Sequence, residues 1–197
     1  MLERRSALAN VLDKGGRDGA DGRRRLTLGE RRGWSLVQIA GFPSTLAELD
    51  AVAAPLLGAS LPMHVGEAVP AGGRQVLKTG PEQFWILGPD ADGFASQLQS
   101  ALAPEIGSVT PLSHSRTCLV VEGEVARALL SKGIPLDFHP EVFRVGQFAQ
   151  TGLHHTPVLV WRSAGDRYEI FALRTFALSV WEWLADAALP LGYEVVG

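Results

Sequence analysis

Residues 73–102 read GRQVLKTGPEQFWILGPDADGFASQLQSAL, and residues 166–189 read DRYEIFALRTFALSVWEWLADAAL. Both run from strand to helix. In the first, residues 74–78 and 83–87 are short apolar runs joined by the turn Gly80-Pro81, as in a hairpin. Asp90 stands where a helix cap is needed, and Phe94, Leu98, Ala101 and Leu102 follow at helical spacing. In the second, residues 168–173 form the strand and Thr175 caps the helix. Phe176, Val180, Trp183, Leu184 and Ala187 are its expected inner stripe.

Working outward, each stretch completes the same larger order. Residues 34–39 (WSLVQI) read as a strand, and Ser44 or Thr45 starts a helix to about Leu57, stopped by Gly58 and by Pro62. A strand near residues 108–112 closes this half. The other half opens with the strand 116–122 (RTCLVVE) and a helix after Gly123 with Val125, Ala128 and Leu129 inward, ended by Gly133 and Pro135. Strands at 146–153 and 158–162 follow, and 193–196 is a short closing strand. Each half reads βα, two or three strands, α and a last strand. The expected class is α+β: two tandem ferredoxin-like (split βαβ) units with antiparallel-rich sheets, at 33–113 and 114–197, packed as one globular body.

The chain has 197 residues, 46% hydrophobic and 20% charged. That is globular rather than disordered composition. A chain of this length buries roughly 70% of its unfolded surface without disulfides or metals. One cysteine, Cys118, excludes a disulfide framework and cysteine-based zinc or iron–sulfur sites. There is no apolar run of 18 residues, and residues 1–16 have no long apolar h-region, so no membrane contact and a cytoplasmic location are expected. Charge is unevenly spread. Residues 1–32 hold nine of the 18 Lys and Arg against five of the 21 acids, a net of +4; the remainder hold nine against 16, a net of −7. Residues 1–32 are therefore expected to be a basic flexible arm, mobile in the isolated chain, either a solvated tail or a wrap that docks on an acidic partner protein. Nucleic acid is disfavoured, since no aromatic residue interleaves Arg23-Arg24-Arg25 and the body is acidic.

Catalytic constellations are sparse. No GxGxxG or GxxxxGK[ST] follows a strand, and Gly15, Gly16, Gly19 and Gly22 sit in the basic segment. His64, His114, His139, His154 and His155 form no HxH or HxxxH pair; adjacent His154 and His155 would point apart if extended, and ahead of Thr156-Pro157 they read as a turn between strands. Ser113–His114 are sequence neighbours, which does not make a triad. Cys118, in an apolar strand, reads as a buried small hydrophobe. Asp137 and Glu141 flank Pro140 and read as loop residues. No catalytic, cofactor-binding or metal site is expected in this chain. The aromatic residues point elsewhere: the last helix carries a second stripe, Leu178, Trp181 and Ala185, and residues 157–161 (PVLVW) are apolar on both faces. Trp161, Arg162 and Trp181, with Arg23, Arg24 and Arg25, are the candidate partner-interface residues, because buried interfaces favour Trp and Arg anchors.

Residues 80–87 (GPEQFWIL), 131–140 (SKGIPLDFHP) and 174–184 (RTFALSVWEWL), together with 5–9 (RSALA) and 58–62 (GASLP), look like the gamma subunit of heterotetrameric sarcosine oxidase, and the resemblance runs from about residue 5 to about residue 190. That family is similar in turn to the folate-binding domain of glycine-cleavage aminomethyltransferases, whose strand–Gly–helix segment residues 122–130 (EGEVARALL) resemble. No position matches the aspartate those proteins use beside folate, so their folate site is not carried over. The resemblance implies a non-catalytic subunit that braces larger ones. The assembly would convert sarcosine to glycine, pass the one-carbon unit to tetrahydrofolate and produce hydrogen peroxide. It further implies alpha, beta and delta partner subunits that hold FAD, FMN, NAD, tetrahydrofolate and zinc, with none of these in this chain. Two rival readings are a stand-alone folate or one-carbon-binding protein and a homo-oligomeric binding module; the isolated chain could dimerise through an exposed patch.

Overall fold

The computed structural model of the chain describes residues 5–12, 15–89 and 93–196. In chain order its elements begin with strands β1 (Gly15–Arg17) and β2 (Leu26–Glu30). Next come β3 (Trp34–Gly41), α1 (Leu46–Leu57), β4 (Ala68–Ala71), β5 (Arg74–Gly80), β6 (Gln83–Pro89), α2 (Phe94–Ala101) and β7 (Gly107–Pro111). The rest are β8 (Arg116–Glu122), α3 (Ala126–Leu130), β9 (Phe148–Leu153), β10 (Thr156–Ala164), β11 (Arg167–Leu173), α4 (Ala177–Ala188) and β12 (Tyr193–Val196). Two compact units result: Gly33–Ser113, and Met1–Arg32 with His114–Gly197.

In the unit of residues 33–113 the strands run in the order β4-β5-β6-β3-β7. Neighbouring strands are antiparallel throughout. β3 and β5 are therefore parallel with β6 between them, and β6 and β7 are parallel with β3 between them. Helix α1 links the first of these pairs and α2 the second, giving two interleaved split βαβ crossovers, the ferredoxin-like arrangement. Alternate residues of the sheet (Val37, Ile39, Val76, Phe84, Ile86) face Leu49, Ala53 and Leu57 of α1 and Phe94 and Leu98 of α2. Gly58 ends α1 in the left-handed conformation (φ 73°), its N–H donating to Ala54 O at 2.8 Å, as the sequence signal requires. Thr45 precedes α1 without capping it; its hydroxyl donates to Ile106 O at 2.7 Å. The expected cap at Asp90 falls outside the described residues.

The other unit repeats the plan with one insertion. Its order is β1-β12-β2-β8-β11-β10-β9. β8, β10, β11 and β12, with α3 and α4, supply the same two crossovers, but β2 lies between β8 and β12, antiparallel to the first and parallel to the second. This corrects the expectation of a flexible arm over residues 1–32. The Gly- and Arg-rich run hides two sheet strands and a buried residue ahead of them: Leu26-Thr-Leu28 puts both leucines into the core, and Leu8 joins them there. Ser6 tethers this segment, its backbone-linked hydroxyl accepting from Leu8 N–H at 2.9 Å and bonding to Glu30, whose other carboxylate oxygen accepts from Thr117 at 3.1 Å. Gly192, at φ 74°, closes the join: its carbonyl accepts from the N–H groups of Arg25 and Leu26, and a Cβ there would lie 1.9 Å from Arg23 O.

Two helix faces differ from expectation by one position. In α3 the buried residues are Ala126, Leu129 and Leu130, while Ala128 is exposed. In α4 they are Ala177, Val180, Trp181, Leu184 and Ala188. The cause is a 3-10 turn over Arg174–Phe176, which delays the helix start and rotates its inner face. Thr175 sits within that turn and is no cap. Trp183 covers Gly133, where a Cβ would meet its ring at 2.3 Å, so a glycine is required there by close approach.

Candidate interaction surface

Arg23, Arg24 and Arg25 lie together in the connection between β1 and β2, a hydrogen-bonded turn. Gly19 N–H donates to Arg23 O at 2.9 Å, and Arg23 N–H to Asp21 Oδ1 at 3.2 Å. Arg24 Nε pairs with Asp18 at 2.7 Å; Arg25 pairs with Asp21 and reaches Glu124 at 3.6 Å. Desolvation works against ionising the Asp21 carboxyl, but the Arg23 N–H and the Arg25 guanidinium outweigh it and hold the group below its usual range. Solvent screens exposed pairs of this kind, so they contribute little to stability. Arg23 and Arg24 are exposed and Arg25 half-buried, so the turn is a cationic surface partly neutralised by its own acids.

The other three candidates are not on a surface. Trp161, Arg162 and Trp181 are 5%, 7% and 7% exposed. Arg162 donates Nη1 to Phe143 O at 2.7 Å, and Nε and Nη2 to Gly165 O at 2.8 and 2.6 Å, with Tyr168 under its guanidinium at 5.9 Å. It is a structural clamp on two carbonyls. Trp181 belongs to the helix-side core, and Trp161 is buried on β10. Anchors of a partner surface must be accessible before docking, so these three are corrected to core residues. Tryptophan and arginine on an apolar strand give the same sequence signal in either role.

Cys118 is fully buried on β8, its thiol 3.6 Å from Glu169 Oε2. Burial, and then the Glu169 carboxylate, push the thiol well above its usual range. Glu169 is itself buried and accepts from Arg31 Nη1 at 2.6 Å, with Arg167 Nε 3.7 Å from its other oxygen. A protonated buried thiol is inert, so iodoacetamide at pH 8 is expected to label native Cys118 at least about tenfold more slowly than the unfolded chain, as intact-mass spectrometry would show. His154 and His155 occupy the turn between β9 and β10, as expected of residues ahead of Thr156-Pro157; His154 has φ 54° and the two rings meet edge to face at 4.2 Å. Among the described residues, no three His, Cys, Asp or Glu side chains converge as a metal cage would need. Ser113 Oγ accepts from Leu36 N–H at 2.9 Å, and Asp137 Oδ1 from His139 N–H at 2.8 Å, both local backbone ties. A cleft of about 450 Å³ beside β1 and β12 is lined by Gly15, Arg17, Trp181, Tyr193 and Val195, with no acid or imidazole among its described lining residues.

The surface does carry apolar side chains, of which the sequence reading missed Leu173 and placed Phe176 inward. Leu173 precedes the 3-10 turn before α4, Phe176 ends it, and Leu178 follows in the first turn of the helix; they are 38%, 39% and 44% exposed. The second stripe on the last helix signalled Leu178, but nothing in the spacing separated Leu178 from Trp181. No helix among the described residues is long and apolar enough to cross a membrane.

The fold is that of a protein built from two ferredoxin-like units. The chain superposes on the glycine cleavage system aminomethyltransferase T of Bartonella henselae with a TM-score of 0.68, over 89% of this chain and 48% of that one; at 17% identity this is a likeness of fold alone. Residues 47–189 match the sarcosine oxidase, gamma subunit family. A sarcosine oxidase subunit gamma from Corynebacterium sp. (strain P-1) is 32% identical over 192 residues, 96% of this chain and 90% of the relative. A chain in the structure of heterotetrameric sarcosine oxidase from Corynebacterium sp. U-96 in complex with pyrrole 2-carboxylate is 31% identical, with a TM-score of 0.81 over 95% of this chain and 96% of that one. The chain belongs to the sarcosine oxidase gamma subunit family.

Proposed function

We propose that this chain is the small bracing subunit of a heterotetrameric sarcosine oxidase in the cytoplasm, acting through its surface on larger neighbours. The observation that carries this reading is the near end-to-end superposition on a chain of an assembly that is itself described as a heterotetrameric sarcosine oxidase. The assembly oxidises the N-methyl group of sarcosine, giving glycine, methylenetetrahydrofolate when tetrahydrofolate takes up the one-carbon unit, and hydrogen peroxide from dioxygen. FAD, FMN, NAD and tetrahydrofolate sit in the alpha and beta subunits, and zinc in delta. The exposed turn of Arg23, Arg24 and Arg25 is part of the contact surface, its cations oriented by Asp18 and Asp21 before docking. Part of the exposed apolar surface is covered in the assembly, as a permanent interface requires.

Co-expression of the tagged chain with alpha, beta and delta subunits tests this. A flavin-coloured complex with one copy of each subunit is the expected product of affinity purification. Recovery of the tagged chain alone, or tight one-to-one binding of tetrahydrofolate to it by calorimetry, would overturn the reading.

A further inference from the structure

We infer that the surface around the start of α4, formed by Leu173, Arg174, Phe176 and Leu178 with Arg5 beside it, docks an acidic, apolar-studded surface of one of the larger subunits; this rests on the bracing role proposed above. The geometry comes from the chain's path. β11 ends at Leu173, the 3-10 turn spans Arg174–Phe176, and α4 begins at Ala177. Ala177, Val180 and Trp181 turn inward, so Leu173, Phe176 and Leu178 are left on the outside within six positions of sequence. Arg5 borders them: Arg174 Nη2 donates to Arg5 O at 2.5 Å, and Arg174 N–H to Ser115 O at 2.9 Å, which fixes the turn in place. Arg5 donates to Asn10 Oδ1 at 2.8 Å.

Charge selects the occupant. Arg24, Arg25, Arg31 and Arg167 each have a carboxylate within 4.0 Å, whereas among the described residues Arg5 and Arg174 have none. Two cations at the rim of an apolar surface, without acids of their own, match a facing surface that supplies carboxylates around apolar contacts. A second copy of this chain does not fit. An isologous contact through this patch would gather four guanidinium groups, Arg5 and Arg174 of each copy, into one interface to which the patch residues bring no carboxylate, and that excess of like charge costs affinity. The occupant is therefore a different chain, and in a heterotetramer that is another subunit.

The test uses the co-expressed complex and two variants, Leu178→Asp at an exposed position and Arg174→Glu at a half-buried one, with exposed Met63→Asp, in the other unit, as a control. Each is first checked for an unchanged melting temperature as the isolated chain. Both patch variants are expected to weaken retention of the chain on the larger subunits by about tenfold or more. Arg174→Glu is also expected to flatten the salt dependence of association between 50 and 500 mM NaCl, while Met63→Asp retains wild-type binding. Wild-type retention by both patch variants, with the wild-type chain still co-purifying, would overturn this surface and leave the bracing role standing. Failure of the wild-type chain to co-purify would overturn both. A self-dimer of the isolated chain that Leu178→Asp dissolves would assign the patch to a second copy and overturn it too.

Discussion

Removing residues 1–32 is expected to leave a chain without a cooperative thermal transition above 25 °C. The segment carries β2, which sits between β8 and β12, so its loss strips β12 of its partner and opens the middle of the seven-stranded sheet. It also removes Leu8, Leu26 and Leu28 from the core. Truncating one buried leucine to alanine costs about 2–5 kcal/mol. Three such losses, before counting the ladder hydrogen bonds, match the whole of a typical stability of about 5–15 kcal/mol. The milder variant Leu28→Ala, at a fully buried position, is expected to destabilise by about 3 kcal/mol, lowering the melting temperature by about 6–12 °C for a chain of this size. A basic tail lying outside the fold would give neither effect: circular dichroism would then show the truncated chain melting where the full chain does.

Arg162→Ala is expected to lower the stability of the isolated chain by about 3 kcal/mol, with no partner present. The guanidinium is the donor to Phe143 O and, twice, to Gly165 O. Its removal leaves the buried Phe143 carbonyl without its donor, an orphan that costs about 1–3 kcal/mol, and lost packing of the guanidinium adds to it, while water can replace the donor at the exposed Gly165. Phe143 stacks against Tyr168, and Phe138 packs edge-on to both, so the loop that Arg162 pins also holds an aromatic cluster. Differential scanning calorimetry of the isolated variant checks this. An unchanged melting temperature combined with weaker binding to the larger subunits would instead mark Arg162 as a partner anchor.

The ferredoxin-like halves were legible because each strand and helix carries its own signal. Apolar runs bounded by glycine and proline mark β5 and β6, and Gly58 marks the end of α1. The insertion of β2 was not legible. Its five residues, LTLGE, follow three arginines and a glycine-rich run, and it pairs with β8 and β12 from nearly a hundred and more than a hundred and sixty positions away, which no local pattern reports. The register of α4 was missed because the 3-10 turn shifts its start, so the stripe through Val180 and Leu184 recruited Trp183 in place of Trp181. The interface was misplaced for a related reason. Tryptophan and arginine serve interface anchors and core clamps alike, and only the bonds of Arg162 to Phe143 and Gly165 separate the two.

The bracing role is tested most directly by assaying sarcosine-dependent hydrogen peroxide from the purified chain before and after the alpha, beta and delta subunits are added, with the visible spectrum recorded each time. No peroxide and no flavin absorbance from the chain by itself, followed by turnover and flavin absorbance once the neighbours bind it, is the outcome expected. Peroxide from sarcosine with this chain unaccompanied, or a flavin spectrum that stays with it through purification, would contradict the reading.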